Sequence, residues 1–132
     1  MVNYLMVAVG GALGSVLRFW LSGIVAERIG QAFPWGTLLV NVSGSFAIGL
    51  FATLTGPDGR WLVAPSFRAF FMIGICGGYT TFSSFSQQAL DLIREREWLY
   101  AGLNVLLSVA LCLIAVWLGH ILAASFSSTK AN

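Results

Sequence analysis

The chain has 132 residues, 58% of them hydrophobic and only 9% charged. Soluble domains carry about 25% charged residues, and a chain this short needs a polar surface these charges cannot supply, so a water-exposed globule is excluded and lipid is the solvent. A net charge of +2, with no basic run and no basic-aromatic patch, excludes nucleic acid as a partner.

The first apolar segment covers residues 4–25, interrupted by Ser15, Arg18 and Ser22. It has no Lys/Arg-rich leader, and its apolar run is too long for a secretory signal, so it reads as the first membrane span. The second covers residues 35–54, the third 67–93 and the fourth 98–122. Each has about twenty residues or more, enough to cross a ~30 Å hydrocarbon core. The links at 27–34, 55–66 and 94–97 are short, which makes neighbouring spans antiparallel. The middle link contains Thr55-Gly56-Pro57-Asp58-Gly59, turn chemistry with Gly and Pro as punctuation. Trp35, Trp61 and Trp98 fall at span ends, where aromatic belts sit. Residues 125–132 form a polar tail. The expected fold is therefore an all-α membrane protein with four transmembrane helices in a single domain, residues 1–132.

The third span is unusual. Gly77 and Gly78 are followed by Tyr79-Thr80-Thr81-Phe82-Ser83-Ser84-Phe85-Ser86, a poor lipid-facing helix. One reading is a helix broken near the middle of the span, whose freed backbone groups must face protein, water or an ion. The other is glycine serving close helix packing. Topology is balanced as well: Arg60, Arg68 and Lys130 lie on one side of a four-span layout, and Arg28, Arg94 and Arg96 on the other. Either a weak bias is overruled by other signals, or the chain inserts both ways and pairs antiparallel.

Polar groups inside the spans are neutral donors in rows. Thr37, Asn41 and Ser45 lie at i, i+4, i+8 on one face of the second span, and Asn104, Ser108 and Cys112 do the same on the fourth. Thr80, Thr81, Ser83, Ser84 and Ser86 add hydroxyls on the third. These rows read as a donor-lined track for an anion, against the alternative of ordinary interhelical hydrogen bonds. Phe82 and Phe85 share a face among the hydroxyls. They pack, or they offer positive ring edges to an anion. Arg18, well inside the first span, either snorkels to the interface or lines an aqueous vestibule. Gly10/Gly14, Gly11/Ser15 and Ser45/Gly49 fit the small-xxx-small seam of close helix packing. Cys76 and Cys112 lie in apolar stretches and read as small core residues, and His120 as an interfacial or packed histidine.

The blocks GGALGSVLRF at 10–19, GTLLVNVSGSF at 36–46, GICGGYTTFSSFS at 74–86 and NVLLS at 104–108 resemble the Fluc (CrcB) fluoride channel family, with one block in every span. Phe19, Ser84 and Cys112 depart from residues common there. The resemblance implies a fluoride-selective channel for passive efflux, in the bacterial cytoplasmic (inner) membrane, acting as an antiparallel, dual-topology homodimer with two pores. It implies that Phe82 and Phe85 build an aromatic box and that Asn41 donates to the ion; the donor rows read above then place Thr37, Ser83, Asn104 and Ser108 along the pore. It implies Arg18 at a vestibule and a structural Na⁺ at the dimer axis, held by the main-chain carbonyls of Gly77 and Thr80.

Three other readings fit less well. A small multidrug exporter needs a carboxylate inside the membrane, and no Asp or Glu lies well inside a span, Asp91 being at an end. A non-transporting assembly subunit explains the small-residue seams but not the aligned donors. An intramembrane enzyme needs nucleophile, base and oxyanion donors in reach, so no enzyme is expected here.

Overall fold

The computed structural model describes residues 1–128, and its regular elements are helices. Helix α1 runs Val2–Ile29, past the expected boundary at residue 25. Glu27 and Arg28 are polar yet helical, because Arg28 in the last turn complements the negative helix end. Gly30 then closes the helix at φ +100, a conformation open to glycine, with its N–H on the Ala26 carbonyl at 3.0 Å.

Helix α2 runs Trp35–Leu54, as the sequence indicated. Its C-terminal carbonyls meet a cation, since Arg68 Nε donates to Thr55 Oγ1 at 3.2 Å and Arg68 Nη2 to the Ala52 carbonyl at 3.5 Å. The third span is assembled from pieces. Helix α3, Pro65–Ala69, starts with proline at its first position, where the missing N–H costs nothing. A π-helical stretch, Phe70–Cys76, follows, then the short turn α4, Gly77–Tyr79. The chain is extended at Thr80 and Thr81, and helix α5 resumes over Phe82–Arg94.

The break thus falls three residues later than the paired glycines. Gly77 and Gly78 are helical. Gly78 serves close approach, because a Cβ there would lie 2.5 Å from the Gly11 carbonyl oxygen. Both readings of this segment hold, at different residues.

Helix α6 runs Trp98–Ser128, longer than the expected 98–122. Residues 125–128 are helical rather than tail, and Arg60 Nη1 reaches the Phe126 carbonyl at 3.3 Å. Lys130 and the rest of the expected tail lie outside the described residues.

Helices α2 and α6 run parallel and in close contact. Gly49 packs on the Val116 carbonyl and Gly119 on Phe46 and Leu50. One turn further along, Thr53 Oγ1 and His120 Nδ1 lie 2.8 Å apart. Thr53 Oγ1 already donates to the Gly49 carbonyl at 2.9 Å, so His120 Nδ1 is the donor to Thr53.

Helix α1 packs against the π-helical stretch and α4. A Cβ at Gly14 would collide with the Ile75 carbonyl and lie 2.8 Å from Tyr79 N. Both are rigid backbone atoms, so overpacking here costs about 1–3 kcal/mol or more. Gly14→Val is expected to lower the thermal unfolding temperature of the purified protein by several degrees, and Gly11→Ala to leave it unchanged, since a Cβ at Gly11 meets nothing within 4 Å. Equal melting of the two variants would refute this packing.

Large apolar side chains point outward: Phe19 is 83% exposed, Val16 68% and Leu106 69%. Among the described residues three helices, Val2–Ile29, Trp35–Leu54 and Trp98–Ser127, are long and apolar enough to cross a membrane. The fourth crossing is the broken segment, neither half of which is long enough alone. Phe33, Trp35 and Tyr100 cluster at one end, with ring centroids 4.7 and 5.8 Å apart, where an interfacial aromatic belt belongs.

Candidate functional site

A break at membrane depth frees backbone groups that lipid cannot satisfy. Side chains from α1 and α2 meet most of that need. Asn41 on α2 pairs with the Thr81 peptide at both ends: its Nδ2 donates to the Thr81 carbonyl at 3.0 Å, and the Thr81 N–H donates to its Oδ1 at 2.7 Å. The amide thereby imitates the neighbouring strand of a ladder. From α1, Ser15 Oγ donates to the Gly78 carbonyl at 3.4 Å and Arg18 Nη1 to the Thr80 carbonyl at 3.5 Å, both long bonds. The Cys76 carbonyl accepts from Thr80 N–H at 3.0 Å and from Thr80 Oγ1 at 2.9 Å.

Thr81 also caps α5. Its Oγ1 accepts from the Ser84 N–H at 3.1 Å, the usual role of a threonine before a helix. Helix α5 therefore starts with Phe82, whose ring is 77% exposed, and carries Phe85 one turn on, 9% exposed. Their ring centroids are 5.3 Å apart, tilted by 50°. Tyr79, on the other side of the break, meets Ser43 on α2 at 2.8 Å.

These groups open onto a cleft of about 380 Å³, lined by Asn41, Ser45, Gly77, Thr80, Thr81, Phe82, Phe85 and Ser108 together with both free thiols, Cys76 and Cys112. The offset that joins Gly49 to Val116 and Thr53 to His120 brings Asn41 towards Ser108 and Ser45 towards Cys112. The two polar rows read from the sequence thus meet along one seam, and their second and third rungs line the cleft.

Other expected site residues lie elsewhere. Thr37 is buried and lines a second cavity, about 560 Å³, with Gln88, Asp91 and Glu95 at the α1–α2 end of the molecule. Asn104 is 1% exposed; its Oδ1 accepts from Ser108 Oγ at 3.3 Å, and its Nδ2 has no partner among the described residues. Ser83 is exposed, its Oγ 3.3 Å from Thr81 Oγ1. Arg18 is half-buried and turned to the break rather than to the near interface. Ser43 and Tyr79 were not singled out from sequence; they meet across 36 positions, and no spacing rule announces such a contact. Nor was Gln88, which lines the second cavity and whose buried Oε1 has no partner among the described residues.

Fold and site together define a multi-pass helical membrane protein with a polar node built around a broken span. The family model described as CrcB-like protein, Camphor Resistance (CrcB), matches residues 5–120. The chain is 64% identical to the fluoride-specific ion channel FluC of Rhodospirillum rubrum, over 91% of this chain and 93% of that one. It is 61% identical to the protein of that name from Paramagnetospirillum magneticum, over 93% and 96%, and 56% identical to that of Methylocella silvestris, over 98% of each. The chain belongs to the CrcB family, as the four sequence blocks implied, and the relatives carry the name of a channel, not of an enzyme.

Proposed function

We propose that this chain is a fluoride-selective channel that lets fluoride leave the cell passively across the bacterial inner membrane. The observation that carries the reading is the cleft in which neutral polar side chains, Asn41, Ser45 and Ser108, stand beside the rings of Phe82 and Phe85 with no carboxylate in the lining. Fluoride holds its water tightly, so a pore must replace that shell with short contacts, yet bind weakly enough to release it. Neutral amides, hydroxyls and ring edges suit both needs. Asn41 Nδ2 spends one N–H on Thr81, and the second is left for an ion.

The cleft is open on one side and Phe82 stands on its rim, so a second copy of the chain closes it in this reading. The balanced arginines support an antiparallel arrangement: Arg60 and Arg68 lie at one end of the bundle, Arg28, Arg94 and Arg96 at the other. Tags at the C-terminus are expected on both sides of the membrane in one population of cells; tags confined to one side overturn this arrangement. The residues also fit a hard cation held by main-chain oxygens. The Thr81 N–H that would close the next helical turn on the Gly77 carbonyl goes to Asn41 instead, and Gly77 and Thr80 both line the open face. The Thr80 carbonyl has a second lone pair beside its long bond to Arg18. Bound there, Na⁺ would supply positive charge to carbonyls that dimerisation buries.

The test is reconstitution in liposomes, with fluoride and chloride efflux measured side by side. Fast fluoride efflux with chloride retained is expected. Retention of both ions would leave an assembly subunit, and equal release of both would remove selectivity from the reading.

A further inference from the structure

We infer that Tyr79 and Ser43 form a second latch on the broken span, and that this latch positions the Thr80 carbonyl and the Phe82 ring for conduction. The hydrogen-bond directions follow from the acceptors present. Ser43 Oγ lies 2.7 Å from the Leu39 carbonyl and 3.2 Å from that of Val40, both acceptors only, so its proton goes to them. The Tyr79 hydroxyl, 2.8 Å away, is therefore the donor to Ser43.

The two latches bracket one residue. Tyr79 is held before Thr80 and the Thr81 peptide after it, both by side chains of α2 two positions apart. Gly44 makes room between them: a Cβ there would run into Thr80 Cγ2 and lie 3.0 Å from Tyr79 Cδ1. Thr80 and Thr81 are extended, and after the Thr80 N–H bond to the Cys76 carbonyl the helical ladder stops. With Tyr79 and Thr81 anchored on one helix, the Thr80 peptide between them loses its freedom to turn. Its carbonyl direction and the start of α5, hence the Phe82 ring, are set by α2. Neither Tyr79 nor Ser43 lines the cleft, so both are positioning residues.

This inference rests on the channel reading for its functional half alone. The test uses Tyr79→Phe, Ser43→Ala and the double variant, each checked for the wild-type elution volume in detergent. Amide hydrogen exchange over the peptide containing Thr80–Phe82 is measured beside fluoride efflux from liposomes. Exchange is expected to quicken about fivefold in each variant, the size of one lost buried hydrogen bond. Fluoride efflux is expected to fall by a similar factor, and the double variant to match the singles, because the Tyr79–Ser43 bond is the loss common to all three, the Leu39 and Val40 carbonyls keeping their helical partners when Ser43 is replaced. Unchanged exchange in Tyr79→Phe overturns the latch. Faster exchange with full efflux overturns the positioning role and leaves a packing contact. Should wild-type liposomes release no fluoride, the channel reading fails, and the exchange data still decide the latch.

Discussion

Replacing Phe82 or Phe85 by isoleucine is expected to cut fluoride efflux by at least an order of magnitude while the protein stays assembled. Isoleucine keeps the apolar bulk and removes the ring edge. The two rings sit together on the first turn of α5, one exposed and one buried, at the mouth of the donor-lined cleft. If each edge supplies a contact of about 1.5 kcal/mol at the barrier, its loss slows passage roughly tenfold. Phe82 is the sharper test. Its ring is largely exposed within the chain, so the substitution removes little packing inside the subunit. Undiminished efflux in both variants, with chloride still excluded, would leave the rings a packing role only.

Asn41→Leu is expected to have the largest effect of all, on stability as well as flux. Leucine fills the space of the amide but leaves the Thr81 N–H and carbonyl unpaired at membrane depth. Each orphaned group costs about 1–3 kcal/mol. Efflux should fall by about a hundredfold or more, since a combined loss near 3 kcal/mol corresponds to that factor. Thermal unfolding should move down with it, and amide exchange at Thr81 should accelerate. A residue that only donates to the passing ion would behave otherwise: flux would fall while melting and exchange stayed put. Asn41→Asp adds a second discriminating result. The carboxylate still accepts from the Thr81 N–H, so exchange at that amide should remain slow. The donor to the Thr81 carbonyl is gone and a negative charge faces the cleft, so efflux should be lost.

Much of the fold was legible because lipid makes the code simple. An apolar run of sufficient length is a span, and α2 begins and ends where hydropathy places it, at Trp35 and Leu54. The helix ends that moved did so for local reasons that hydropathy does not weigh. Arg28 suits a helix C-terminus, and Ser125 and Ser127 stay helical while bonding to the Leu122 and Ala123 carbonyls. The polar rows were legible because i, i+4 spacing places residues on one face whatever the partner. Their meeting depended on the glycine contacts that fix α2 against α6, which have no signature beyond small residues. The break was legible as an event but not as a position. Paired glycines look like the weak point of a helix, yet α1 packs so closely on Gly78 that the turn stays wound. Unwinding falls instead where Thr81 caps a new helix, a signal that was present in the sequence as threonine three residues before Ser84. The π-helical stretch had no signal at all. Nor could the clamp of Asn41 on Thr81 be read ahead of the structure, since it joins residues forty positions apart.

The division of the third span also bears on how the chain is made. As residues leave the ribosome, α1 and α2 are continuous apolar helices that enter lipid on their own merits. Helix α5, with thirteen residues that include Gln87, Gln88, Asp91 and Arg94, does not. Alone in hydrocarbon it would be too short to cross and would carry uncompensated polar groups. The side chains that make its entry tolerable, Asn41 and Arg18, are already in the membrane, but the wall behind it, α6, is synthesised last. The nascent third span is therefore expected to dwell at the membrane surface until the fourth emerges, the two entering as a hairpin. Stalled chains that end before α6 should leave α5 open to protease, whereas those that include it should not.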